Sequence, residues 1–275
     1  MLQIAKTHNL SVSHLDQRGA WLAAGDSLVL LPRPEVPSGC VVGERLEVFV
    51  YGVVDDQALA TLRKPRAELG EFALFPVSQV NEHGVFLDWG IGKELLVPRS
   101  KRPRHLASGE SCLARVELDR QGRPFANARI EQCLTEPVKG LKAGDAVHLL
   151  VWQRTDLGAK VIVANRYAGL LYRDEIQGEL RPGTVLSGYV KGLRPDGKLD
   201  VTLHRGGREE LSAAKEAILA AFQGTDFLPL HDDSSPEAIR AALGLSKKLF
   251  KKAVGGLYKA GLVELEPGGI RRKRS

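Results

Sequence analysis

The sequence is poor in cysteine, in aromatic residues and in long apolar stretches, and each shortage excludes something. Cys40, Cys112 and Cys133 stand far apart and are odd in number, so neither a disulfide framework nor a zinc-ligand spacing arises. Such cysteine usage points to a reducing cytoplasm. No apolar run reaches the roughly 18 residues that suggest a membrane-spanning helix. The opening residues, Met1 to His8, lack the basic-then-apolar order of a signal peptide. The seven histidines form no His-x-His or His-Glu-x-x-His pair, and no Walker loop or Rossmann fingerprint is present. Asp55-Asp56 reads as a hairpin turn, and Asp232-Asp233 as the ordinary acidic approach to a helix start. No carboxylate cluster assembles for hydrolysis, so we expect no enzyme, no cofactor, no metal and no small-molecule substrate.

What the chain does have is glycine, 29 residues of it, with 14 prolines and short segments between them. That composition favours brief strands and tight turns. The net charge of +6 is unevenly placed. Residues 246–275 carry nine basic and two acidic residues, hence +7, which leaves −1 for the preceding 245 residues. The asymmetry suggests a polyanionic partner for the C-terminal end.

The glycines mark a repeat. "GAWLAAGDSLVLLPR" from Gly19 aligns with "GVFLDWGIGKELLVPR" from Gly84 and, more faintly, with "GAKVIVANRYAGLLYRDE" from Gly158. Gly19 to Gly43 is 24 residues, and Gly84 to Gly109 and Gly158 to Gly183 are 25 each. Gly70 and Gly144 each precede the next landmark by 14. Three units with shared landmarks indicate a repeated domain. Each reads as five short strands, which suits a small barrel without exposed edges. The boundaries fall at 1–65, 66–135 and 140–207. By periodicity Trp152 reads as core.

Each unit resembles the RNA-binding repeat of ribosomal protein S-one, an OB-fold barrel, the first being divergent and the second matching best. The resemblance implies that Phe86 in Gly84-Val85-Phe86 presents its ring to a base, with Trp21 in the matching place of the first unit. It adds Asp119 and Arg123 beside the last hairpin of unit two. The chain departs from the pattern at His83, and at Val97 and Leu31 where the family has histidine. In unit three we place Tyr172 at that histidine position and Lys160 at the central aromatic. Rings stack on bases and cations neutralise phosphates. Arg99, Lys101, Arg102 and Arg104 supply a basic rim in unit two, and Lys160, Arg173 and Lys191 join Tyr172 in unit three.

After His204 the period changes. "REELSAAKEAILAAFQ" places Leu211, Ala214, Ile218 and Phe222 on one helical face. Ser235-Pro236 starts a second helix that Gly244 stops. Ser246 caps a third, "KKLFKKAVGGLYKAG", whose lysines 247, 248, 251 and 252 lie off its apolar stripe. A hairpin follows, with Arg271 and Arg272 on its second strand. Residues 208–275 therefore read as a winged helix, whose second helix of the pair meets nucleic acid in many proteins. Three S-one-like units and a winged helix resemble the bacterial family called conserved virulence factor B. That resemblance implies a mainly β protein with a C-terminal α+β domain, cytoplasmic, binding single-stranded RNA and influencing gene expression. A DNA-binding transcription regulator and a protein-interaction scaffold remain the alternatives.

Overall fold

A computed structural model describes residues 2–102, 106–176, 178–204, 208–222 and 225–273. Two compact units divide the chain: Met1–Gly140 with His148–Leu186 and Arg194–Leu199, and Leu141–Val147 with Ser187–Leu193 and Asp200–Ser275.

The architecture is mainly β, with three five-stranded barrels and a C-terminal winged helix. Strands β1 (Lys6–Leu15), β2 (Gly19–Ala24), β3 (Ser27–Pro32), β4 (Arg45–Val54) and β5 (Gln57–Thr61) close in the order β1-β2-β3-β5-β4. Strands β6 (Phe72–Val80), β7 (Gly84–Asp88), β8 (Glu94–Pro98), β9 (Ser111–Leu118) and β10 (Pro124–Asn127) run β10-β9-β6-β7-β8, with β8 lying against β10 across the seam. A one-turn helix, α1 (Ile130–Cys133), follows. Strands β11 (Ala146–Thr155), β12 (Gly158–Val163), β13 (Tyr167–Tyr172), β14 (Val185–Leu193) and β15 (Leu199–Thr202) close in the order of the first barrel.

The repeated glycines have a physical cause. Gly19, Gly84 and Gly158 adopt φ of 148°, 155° and 146°. A Cβ on them would stand 2.0, 2.3 and 2.1 Å from the carbonyl oxygens of Leu31, Val97 and Leu171. No side chain fits where one strand's first residue meets the end of the next. The second landmark closes the barrel by hydrogen bonding: Gly43, Gly109 and Gly183 donate their N–H to the carbonyls of Val12, Val77 and Val151. Each acceptor directly precedes a β-bulge in the strand that opens its barrel. The upstream landmark is present in all three barrels, but in the first it is not glycine. Ala5, at φ 60°, donates to Val50 as Gly70 does to Val116 and Gly144 to Val190.

Barrel one has its own core around Leu22, Val29 and Leu31, and sends two buried residues into that of barrel two. Ala5 and Phe49 pack in one cluster with Ala67, Val85, Leu87 and Trp89. The Trp89 indole N–H, itself buried, donates to the Ala67 carbonyl at 2.8 Å. Barrels two and three meet through Phe72, Ile130, Cys133 and Ile162. There the Phe72 N–H donates to Asn165 Oδ1 at 2.9 Å, and the Thr135 N–H to the Arg166 carbonyl at 2.9 Å.

The C-terminal domain packs α2 (Arg208–Ala220), α3 (Pro236–Leu243) and α4 (Lys247–Lys259) over a small sheet. The caps form as the sequence suggests: Ser235 Oγ accepts from the Ala238 N–H and Ser246 Oγ from the Leu249 N–H, while Gly244 ends α3 at φ 69°. Ala214, Ile218 and Phe222 pack with Ile239, Phe250, Ala253, Val254 and Leu257. The hairpin β17 (Val263–Glu266) and β18 (Gly269–Arg272) gains a third strand, β16 (Phe227–Leu228), paired along β18. Sequence reading missed β16, because two residues carry no periodicity.

Candidate nucleic-acid interface

Period-two alternation sets the outer face of each barrel. Ala20 and Leu22, Val85 and Leu87, and Ala159 and Val161 are buried. Between them Trp21, Phe86 and Lys160 point outward and are half-buried. The register makes the three equivalent. Trp21 pairs with His14 and Leu30, Phe86 with Gln79 and Leu96, and Lys160 with Gln153 and Leu170.

The surroundings of these positions differ. In the first barrel the Trp21 ring stacks on His14, centroids 5.5 Å apart and planes 11° apart, and the Arg18 guanidinium lies 5.1 Å from its centroid. Asp16 shapes that turn by accepting from the Arg18 and Gly19 N–H groups. In the second barrel Phe86 stands beside Ser78, whose hydroxyl meets Glu94, and Gln79 also reaches Glu94. Arg99 is exposed just past β8, and Lys101 and Arg102 are half-buried after it. Among the described residues no ion pair engages these three; Arg104 lies outside the described residues.

In the third barrel a ring is present after all. Trp152 is the bulged residue of β11, between Val151 and Gln153. Val147, Leu149 and Val151 take the inward places on β11, so Trp152 lies half-buried on the outside of the barrel, packed against the cluster of Phe72, Ile130, Cys133 and Ile162. The Lys160 ammonium lies 5.0 Å from its ring centroid and 3.4 Å from Glu131.

Other expected contacts are placed differently. Tyr172 does not share a position with Leu31 and Val97. It pairs with Gly158, as Pro32 pairs with Gly19 and Pro98 with Gly84. The match to Leu31 and Val97 is Leu171, and all three are fully buried. Arg173 is exposed in the turn after β13, and Lys191 is exposed on β14. Asp119 and Arg123 form a closed hairpin staple. Asp119 accepts from the Gln121 and Arg123 N–H groups and from the Arg123 side chain at 2.8 Å. The Arg123 N–H and guanidinium hold the Asp119 carboxyl below the usual aspartate range.

On the winged helix, Lys247, Lys248, Lys251, Lys252 and Lys259 stand off the buried stripe of α4. Lys251 pairs with Asp232 at 3.6 Å, and no ion pair among the described residues engages Lys247, Lys248 or Lys252. Arg271 is held by Glu266 through two bonds, 2.6 and 3.0 Å, and lies over Phe227, whereas Arg272 is exposed.

Among the described residues no three His, Cys, Asp or Glu side chains gather to hold a metal ion. Burial, then Glu117, pushes the Cys133 thiol up to about 12, which disfavours a nucleophilic thiolate. Among the described residues no helix is long and apolar enough to cross a membrane.

The fold and its faces define a multidomain protein built of nucleic-acid-binding domain types, OB barrels and a winged helix. Family models agree: the S1 domain matches residues 4–63 and the CvfB-like winged helix domain residues 216–271. The S1 match falls on the first barrel, where sequence reading found its strongest likeness in the second. Uncharacterized protein YitL of Bacillus subtilis is 26% identical over 275 residues, covering 96% of this chain and 92% of that protein. Conserved virulence factor B of Staphylococcus aureus strain N315 is 25% identical over 240 residues, covering 83% and 79%. A crystal structure of a Streptococcus pneumoniae multidomain protein with nucleic acid binding domains aligns over 98% of both chains, at 26% identity and a TM-score of 0.42. Over most of its length, then, the chain resembles conserved virulence factor B.

Proposed function

We propose that the chain binds single-stranded RNA along its barrels and acts in the cytoplasm as a post-transcriptional regulator, with the winged helix adding affinity through linkage. In this reading residues 1–65, 66–135 and 140–207 are the three barrel domains and 208–275 the fourth. The observation that carries it is the shared outer face. Trp21 and Phe86 stand at one register position, half-exposed, and Arg99, Lys101 and Arg102 follow the strand that pairs with Phe86, without an ion-pair partner among the described residues. Rings on a sheet beside such cations suit the π-faces and phosphates of an unpaired strand.

The test is salt-titrated binding to matched single-stranded RNA, single-stranded DNA and duplex DNA. We expect RNA to bind best, with a slope of about −0.7 per phosphate neutralised. A second reading, a duplex-DNA regulator, draws on Lys247, Lys248, Lys251 and Lys252 of α4, of which only Lys251 has an ion-pair partner among the described residues. It requires duplex preference that survives Phe86→Ala and fails when these lysines become alanine. Binding to neither nucleic acid, with capture of a defined protein partner, would make the chain a scaffold.

A further inference from the structure

We propose that a cleft on the third barrel holds one unpaired base of the bound strand, stacked on Trp152. The inference deepens the single-strand reading and rests on it. Equivalent positions in the first two barrels carry a ring, Trp21 or Phe86, where the third carries Lys160. The bulge of β11 restores a ring to the same face, at the place where Ser13 and Ser78 stand in the other barrels. The ring stands one strand over, in the column that serine holds in the other barrels, and a cation takes the ring's usual place 5.0 Å away on one surface.

The cleft beside them has a volume of about 480 Å³, within the range of sites that hold small planar ligands. Leu134, Leu157 and Leu170 give it apolar walls. Leu157, in the turn between β11 and β12, is 65% exposed, so an apolar side chain stands at the mouth with no core role. Lys160, Arg194 and Lys198 line it beside Glu131, Glu136 and Asp196, and Asp196 lies 3.2 Å from Arg194 and 3.9 Å from Lys198, so each cation a phosphate could take already has an exposed carboxylate to exchange. The strand-two and strand-three face and the two loops of this kind are where an OB fold meets an extended strand. Glu131, 73% exposed, pairs with Lys160 at 3.4 Å. An exposed pair of this kind is weak, so a strand phosphate displaces the carboxylate and takes the ammonium while its base settles on Trp152.

The experiment measures full-length protein binding to a labelled oligouridylate of about 12 nucleotides, within the span of one or more OB sites. It compares the unaltered chain with Trp152→Leu, Glu131→Gln and Phe86→Ala across a salt series. Trp152→Leu is expected to weaken binding roughly five- to 150-fold, the loss of one stacked base, without changing the salt slope. Glu131→Gln is expected to tighten binding about two- to fivefold, because Lys160 no longer has an internal competitor. Glu131 is on the surface, so this variant folds even if Trp152→Leu does not. Unchanged binding by Trp152→Leu, together with loss by Phe86→Ala, would overturn the cleft and leave the single-strand reading standing. No gain by Glu131→Gln would also overturn it. Failure of the unaltered chain to bind any single strand would sink both.

Discussion

Phe49 of the first barrel meets Trp89 of the second edge to face, their centroids 5.2 Å apart and their planes at 88°. Both rings are almost wholly buried, at 2% and 1% exposure. The first barrel keeps its own core around Leu22, Val29 and Leu31, but it sends Ala5 and Phe49 into the core of the second, which couples the two.

Trp89→Ala therefore removes more than a side chain. It leaves a cavity at the junction and strips the Ala67 carbonyl of its donor. A cost of about 3–5 kcal/mol is expected from such a deletion. Urea unfolding will show the first two barrels melting together in the unaltered chain and coming apart in the variant. Coincident transitions in both would refute the coupling.

Gly84→Ala tests the repeat landmark. The added Cβ would stand 2.3 Å from the Val97 carbonyl oxygen, a distance at which backbone must move. The expected loss is at least about 1–3 kcal/mol, the order of a strained backbone position. Gly109→Ala, at φ 86° but with open space around it, is expected to cost less, about 1–2 kcal/mol. A reversed order in denaturant midpoints would contradict the steric account.

Phe86→Ala separates surface from core. The ring is half-exposed, so thermal stability is expected to change little, while single-strand affinity falls roughly five- to 150-fold. Fluorescence anisotropy beside a melting curve reads both. A large drop in stability with unaltered affinity would return Phe86 to the core.

The acid limb of stability has a named contributor. The Arg66 guanidinium, 2.7 Å from Asp88, together with the Gly90 N–H holds the Asp88 carboxyl below the ordinary value of 3.8. A depressed folded-state value means stabilisation that is fully present above 3.8 and is lost as pH falls through the lower value. The carboxylate is 43% exposed, so the contribution is small. Asp88→Asn is expected to lower the urea midpoint slightly at neutral pH and to flatten its decline in acid. Parallel declines in both proteins would count against this pair.

The barrels were legible because their glycines answer to geometry: a backbone carbonyl leaves no room for a side chain, so the landmark persists. Ala5 hid the same landmark, since its left-handed conformation has no sequence mark. Trp152 was read as core, but Val147, Leu149 and Val151 fill the inward places of β11, and the ring instead packs half-buried against the joint between barrels two and three. Tyr172 was misplaced by one residue. Aligning Leu-Leu-Tyr-Arg by its aromatic, and not by the Leu-Leu step, shifts the register. The Asp119–Arg123 spacing was visible, but not that the hairpin itself uses every contact the aspartate makes with Arg123. In the winged helix the caps were readable from serine and glycine, whereas pairing of Arg271 with Glu266 depends on two strands meeting.

Gly183 has a second consequence. Its Cα faces Leu74 so closely that a Cβ would come within 2.5 Å of that side chain, which fits the tight joint made by Phe72, Ile162 and Asn165. Two faces fixed to one another act as a ruler. If a strand lies on both rings as proposed, one too short to reach from Phe86 to Trp152 would gain nothing from the second ring, and the first long enough would gain all of it. Affinity would climb with oligonucleotide length in a step, where a loosely tethered pair of barrels would give a slope.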